Sequence, residues 1–338
     1  FSRELYKEIR IENIPFSTIP YLSSLGIDMD HIYKEQGFIQ FAISSYDLDK
    51  LDSHNVNYQI IHDNLEEFYA QRLTDDFESR DFELGSMGGY YTFDEIEEQL
   101  NQIHAEYPSL THLEIIGNTL EGRNVWALKI SDNPSFFEED EPEVLYTGLH
   151  HAREPMSYMN LFYFMDWLFE NYNTDDLATH LINNRQLWFV PAVNPDGLVY
   201  NQSIAPNGGG MQRKNMLETC SGGVDGVDLN RNYSYMWGYD NEGSSSDGCN
   251  ETYRGTSPFS EPESQNIRDF VQSHNFPIAF NYHSYSNLLI YPLGYEYDNP
   301  VPEEDLSIFI EYGQDMVQYN GYALGSGPEL LYPVNGEA

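Results

Sequence analysis

The stretch EVLYTGLHHAREPMSYMNLFYFMDWLFENY, residues 143–172, holds the pattern on which the fold reading turns. EVLYTGL is a short apolar run of strand type, and SYMNLFYFMDWLFENY is an apolar run long enough for a helix. Working outward, RQLWFVPAV (185–193) repeats the strand signal after that helix, while HLEIIGNT (112–119) and NVWALKIS (124–131) precede it. TFDEIEEQLNQIHAEYP (92–108) reads as a helix capped by Thr92, with Phe93, Ile96, Leu100 and Ile103 at helical spacing. Strands alternating with helices predict an α/β sheet flanked by helices.

Upstream, the order of elements differs. LYKEIRIENI reads as a strand, FSTIPYLSSLG as a helix ending at Gly26, and IYKEQGFIQFAIS as two strands meeting near Gly37. SYDLDKLDSHN reads as a short helix and VNYQIIHDN as a last strand. The resulting β-α-β-β-α-β order is ferredoxin-like. The expected division is therefore a small α/β unit over 1–72, an exposed acidic linker over 73–89, and a larger domain over 90–338. Arg72 and Arg80, at the edge of and inside that linker, are candidate cleavage sites for a trypsin-like protease or ordinary surface arginines.

Composition narrows the partners. There are 55 Asp plus Glu against 16 Lys plus Arg, a formal charge of −39. That balance argues against nucleic acid, whose phosphates are bound by clustered cations. It fits a solvated acidic surface and leaves open an attraction for cationic substrates. No apolar run reaches the roughly 18 residues of a membrane span. The chain opens on Phe1 without an initiator Met or a signal region, so either a leader has been removed or the chain starts inside a longer one. The two cysteines, Cys220 and Cys249, are two free thiols or one disulfide.

Chemistry enters at the centre of the opening stretch. His151 and Glu154 are three apart and converge on one point if the segment starts a helix. Imidazole nitrogen and carboxylate oxygen are both good zinc ligands, and His150 has no carboxylate at the same offset. An HxxE pair alone is common on surface helices. A catalytic zinc needs a third ligand and an open position; His283, after the apolar run PIAFNY, is a candidate, although a lone histidine is usually a core residue. NPDG (194–197) is read as a turn. Arg213 in QRKN and Asp228, Asn230 and Arg231 in GVDLNRNY follow, and an Arg beside an Asn suits the forked grip of a carboxylate.

Taken in order, GNTLEGRNVWALKIS, GLHHAREP, NPDG, RKN, GVDLNRNY, CNETYRG, NYHSYSNLLIYPLGY and LYPVNGEA resemble the zinc metallocarboxypeptidases of the carboxypeptidase A/B type, from about Tyr90 onward. The resemblance implies a mixed, eight-stranded-type sheet flanked by helices, one zinc ion per chain, and release of C-terminal residues from peptides or proteins. It implies His151, Glu154 and His283 as zinc ligands and Arg213 as the donor to the developing oxyanion. Arg153, Tyr285, Asn230 and Arg231 become substrate contacts, with Tyr332 closing over the bound end and Asp228 orienting a zinc histidine. It pairs Cys220 with Cys249, implies a secreted or periplasmic location, and makes residues 1–72 similar to a pro-domain of a zymogen. Pro155 departs from the family's frequent aromatic without harm. The general-base glutamate is expected beyond Ala338, since Glu337 lies too close to Tyr332. Ile290, Gly294 and Val334 favour apolar side chains in the specificity pocket, and the acidic composition favours basic ones. Two other functions compete with the peptidase: an amidase or deacylase on the same scaffold, and a non-catalytic module that binds peptide C-termini. Oligomeric state is not implied.

Overall fold

The computed structural model describes residues 5–12, 18–27, 29, 32–35, 37–71, 82–221, 225–298 and 301–338. Arg72 and Arg80 lie outside the described residues. The chain forms two compact units: Phe1–Leu65, Glu218–Pro258 and Tyr285–Ala338 in one, Glu66–Leu217 and Phe259–Ser284 in the other.

The N-terminal elements are β1 (Tyr6–Glu12), α1 (Thr18–Ser24), β2 (Tyr33–Glu35), β3 (Phe38–Ser44), α2 (Ser45–Ser53) and β4 (Gln59–His62). The strands pair antiparallel in the order β2-β3-β1-β4, the expected ferredoxin-like arrangement. Alternation along β1 and β3 turns Ile9, Ile11, Ile39, Phe41 and Ile43 into one core with Leu22 and Leu51. Ser44 caps α2 by accepting from Asp47 N at 3.1 Å.

After α3 (Leu65–Gln71) comes α4 (Phe93–Glu106). Its capping box is complete: Thr92 N donates to Glu95 at 2.7 Å, and Glu95 N donates to Thr92 Oγ1 at 3.3 Å. Residues 82–89, read as the end of an exposed linker, instead fold back. Gly85 bridges Gly89, and Met87 enters the core at 3% exposure, because the glycines admit a tight antiparallel turn.

The main sheet contains β5 (Thr111–Asn118), β6 (Asn124–Ile130), β7 (Glu143–Thr147), β8 (Gln186–Val190) and β9 (Ile278–Asn281), in the order β5-β6-β8-β7-β9. The β5–β6–β8 pairs are antiparallel and the β8–β7–β9 pairs parallel, so the sheet is mixed. Central β8 is buried at all five positions, as expected of a strand covered on both faces. Packed with it are α5 (Met156–Asn171), α6 (Asp176–Asn184), α7 (Pro195–Ile204) and α8 (Pro262–Ser273). Tyr158, Leu161, Phe162, Met165, Leu168 and Phe169 give α5 an apolar stripe that enters the same core as Leu187 and Phe189. The remaining elements are β10 (Leu288–Tyr291), α9 (Glu303–Val317), β11 (Ala323–Ser326) and α10 (Gly327–Leu330). β10 pairs with β11 in a separate parallel sheet, so the described strands here number five and two rather than eight in one sheet.

Candidate metal centre

The parallel β7–β9 register places Thr147 opposite Asn281, at the carboxyl ends of both strands. This is where open α/β sheets hold ligands. His151 follows four residues after Thr147, and His283 two after Asn281. Between β7 and the first ligand, Leu149 takes a positive φ of 58° while fully buried, a conformation a branched side chain adopts only when its surroundings impose it. Its N–H donates to Ser157 Oγ at 2.9 Å. The chain then makes a turn, with Glu154 N donating to His151 O at 3.1 Å, and α5 begins only at Met156. The HxxE pair therefore precedes the helix rather than forming its first turn. Pro155, at the N-cap with helical φ and ψ, starts the helix where its missing N–H costs nothing.

Three side chains converge. His151 Nδ1 lies 2.7 Å from Glu154 Oε1 and 3.2 Å from His283 Nδ1, which is itself 2.9 Å from Glu154 Oε2. Two imidazole nitrogens this close must share a proton or a cation. Two ligands of one tetrahedral zinc, each about 2.0–2.1 Å from it, stand roughly 3.3 Å apart, so the spacing and the N,N,O donor set both fit zinc. His151 and Glu154 are buried, while the His283 side chain keeps 32% of its surface open, leaving a side for a further ligand. Burial would raise the Glu154 carboxyl, but the facing imidazoles hold it well below the usual range. Burial lowers the His283 imidazole, against the pull of Glu154. Ser284 N donates to Glu154 Oε2 at 3.1 Å.

Fully buried Arg213 brings its guanidinium 3.3 Å from His151 Nδ1. Ala152 N donates to Arg213 O at 3.0 Å, tying the arginine segment to the ligand turn. Asn194 Nδ2 approaches His150 O at 3.3 Å and Arg213 O at 3.4 Å. NPDG is accordingly the start of α7 rather than a free turn: Asn194 caps it, accepting from Gly197 N, and Pro195 occupies its first turn. A Cβ on Gly197 would stand 2.5 Å from Ala152 Cβ and 2.9 Å from Lys214 O, so only glycine allows this approach. Buried His150 faces the His283 ring at a centroid distance of 5.9 Å. Arg153 is half-buried.

Behind Arg213 lies a polar cluster that sequence reading did not assemble. Asn215 Nδ2 donates to Glu261 Oε2 at 2.8 Å and approaches Glu263 Oε2 at 3.3 Å. Glu263 also accepts from Leu120 N at 3.0 Å, and Asp196 accepts from Thr119 Oγ1, Glu121 N and Arg123. Burial pushes Glu263 up to about 7, and the Asp196 charge adds to the rise.

The other expected site residues lie in the other compact unit. Cys220 and Cys249 form a disulfide with Cα atoms 4.9 Å apart. Within its loop, Asp228 caps the 3-10 turn Leu229–Arg231 by accepting from Asn230 N at 3.0 Å. Arg231, 1% exposed, stands 3.8 Å from Asp228 and 3.4 Å from the Tyr332 hydroxyl. Tyr332 is itself buried, packed into the core formed by Ile9, Ile39 and Phe41. Tyr285 is half exposed. Of the residues expected to line a specificity pocket, Val334 N donates to Gly294 O at 2.7 Å, and Gly294 N donates to Glu337 Oε1 at 3.0 Å. Burial raises the Glu337 carboxyl, and the Arg231 charge opposes the rise.

The chain has recognisable relatives. A zinc carboxypeptidase from Saccharothrix mutabilis subsp. capreolus is 35% identical over 252 residues, covering 72% of this chain and 56% of that protein. Carboxypeptidase A2 of Mus musculus is 30% identical over 293 residues, covering 85% of this chain and 68% of that protein. The chain thus spans between about half and two thirds of these relatives. The fold matches that of carboxypeptidase A from Helicoverpa armigera with a TM-score of 0.79 at 24% identity, over 99% of this chain and 84% of that one. The family model for zinc carboxypeptidases matches residues 96–338, a span that holds the converging His151, Glu154 and His283, and the chain belongs to that family.

Proposed function

We propose that the whole protein is a zinc-dependent carboxypeptidase that removes C-terminal residues from peptides or proteins. The observation that carries this reading is the convergence of His151, Glu154 and His283 within 2.7–3.2 Å, with Arg213 alongside. Those three residues would hold one zinc ion, which when bound supplies a Lewis acid for the terminal peptide carbonyl and for activating water. Arg213, fully buried beside the ligand histidine, donates to the oxygen on which negative charge develops. Arg231 and Asn230 take the free carboxylate of the substrate, which restricts cleavage to the last peptide bond because an internal residue offers no such group. Asp228 steadies the clamp turn and is the candidate to orient a ligand histidine. Arg153 and Tyr285 serve as further substrate contacts, and Tyr332 covers the bound end.

In this reading residues 1–72 are a pro-segment, 73–89 a connecting segment and 90–338 the catalytic domain. The burial of Tyr332 in the N-terminal core supports a zymogen in which that tyrosine is withheld from substrate. The disulfide supports a secreted or periplasmic location. Among the described residues no helix is long and apolar enough to cross a membrane. The Asn230–Arg231 pair supports a free α-carboxylate over the amide substrates of a deacylase.

The test is release of C-terminal residues from a peptide panel by the whole protein, with and without a chelator. Release abolished by chelation and restored by zinc is expected. Release that persists after metal removal would refute the metal mechanism.

A further inference from the structure

The sequence motif QRKN contains an asparagine to which the proposed chemistry assigns no task. Asn215 lies two residues from Arg213 and is fully buried. Its amide is caught between two carboxylates at the start of α8: Glu261 at the N-cap and Glu263 two residues on. Glu261 makes no side-chain cap to its own helix and reaches Asn215 instead, although capping is the ordinary use of a polar N-cap side chain. On the other side of Arg213, Gln212 and Asn201 bond reciprocally: Gln212 N donates to Asn201 Oδ1 at 2.8 Å and Asn201 Nδ2 to Gln212 O at 2.9 Å. The segment is therefore pinned on both sides of the arginine. It needs such pinning, because residues 211–217 have neither helix nor strand to hold them. Further groups near the grip are Asp196 on α7 and, from the β5–β6 connection, Leu120 N–H, which donates to Glu263, and Arg123, which donates to Asp196.

We propose that Asn215 is a positioning residue for Arg213: held by Glu261 and Glu263, it fixes the segment that aims the guanidinium at the reacting carbonyl. The inference rests on the reading of Arg213 as oxyanion donor, and concerns how that donor is held. An arginine displaced by a fraction of an ångström loses much of its value in the transition state, while substrate binding through other residues is little affected.

A double-mutant cycle in the whole protein tests this. Asn215→Ala is expected to lower kcat roughly 10- to 30-fold with KM within about 2-fold, and to lower it less than about 2-fold in an Arg213→Ala background. Equal losses in both backgrounds would overturn the proposal, since a general structural defect acts whether or not the arginine is present. Glu261→Gln and Glu263→Gln, which keep an accepting oxygen, are expected to hold kcat within about 3-fold, while the paired alanine variant matches Asn215→Ala. Where Asn215→Ala does not fold, Asn215→Ser takes its place. Amide exchange gives a readout that needs no turnover: the Ala152 N–H, which donates to Arg213 O, should exchange at least about 10-fold faster in the variant while the Leu149 N–H is unchanged. An unchanged Ala152 N–H, or an equal rise at both amides, counts against the proposal even if the wild-type protein releases no residue; that silence would instead sink the peptidase reading.

Discussion

The candidate metal centre and the proposed carboxylate clamp are built by different means. His151, Glu154 and His283 stand just beyond the ends of two paired strands, so the register of β7 with β9 sets their separation. Asn230 and Arg231 sit on a 3-10 turn inside a loop closed by the Cys220–Cys249 disulfide, with side-chain and backbone hydrogen bonds standing in for a sheet. A metal tolerates only small errors in ligand position, and a strand end supplies that rigidity. A flexible chain terminus can be met by a loop, provided the loop is restrained.

The comparison can be broken first at the metal. His283→Ala should weaken zinc binding by more than roughly 100-fold, while His150→Ala should largely spare it, as read by metal content after dialysis. The clamp comes next. Arg231→Ala should cost about 2–5 kcal/mol of transition-state binding, roughly 30-fold or more in kcat/KM, while metal content stays at that of the wild type. Loss of metal in that variant would show that the two regions are not separable.

Replacing both cysteines by serine should cost at most about 3–4 kcal/mol in unfolding free energy, from the roughly 30-residue loop. The damage should appear as a raised KM rather than as lost zinc. The smallest expected effect concerns pH. Glu263 binds its proton more tightly in the folded protein, rising from 4.5 to about 7. Its contribution is thus fully present below the unfolded value and is lost as pH rises through about 7, a change of roughly 3 kcal/mol at most. Glu263→Gln, neutral at every pH, should remove that loss, so denaturant unfolding at pH 5 and pH 8 should differ less in the variant than in the wild type.

Much of this was legible in residue order. The helix at Phe93 was readable because its signals, the Thr92 cap and the 3–4 spacing of Phe93, Ile96, Leu100 and Ile103, are all local in sequence. The ferredoxin-like order was readable from the succession of strand and helix runs, β-α-β-β-α-β, each of them local in sequence. NPDG was misread because a turn and a helix start share the same residues, and what separates them is whether the segment that follows finds a surface to pack on. Whether the HxxE pair starts a helix stays open in the sequence, because spacing alone does not distinguish a helical turn from the tight turn that Leu149 and Ser157 set up. Asn194, Ser284 and the Asn215–Glu261–Glu263 grip were missed because each acts on a segment distant in sequence.

By itself the sequence determined which residue types could serve: two imidazoles and a carboxylate for a metal, an Asn–Arg pair for a carboxylate, two cysteines able to join. Those properties are chemical and belong to each side chain wherever it lies. Only the tertiary structure decided that His151 and His283, 132 residues apart, meet through their Nδ1 atoms, that Gly197 admits the arginine segment, and that Tyr332 enters the N-terminal core. Local preferences act over a few residues, whereas these contacts follow from strand register and from the burial of apolar surface, which only the folded chain as a whole sets.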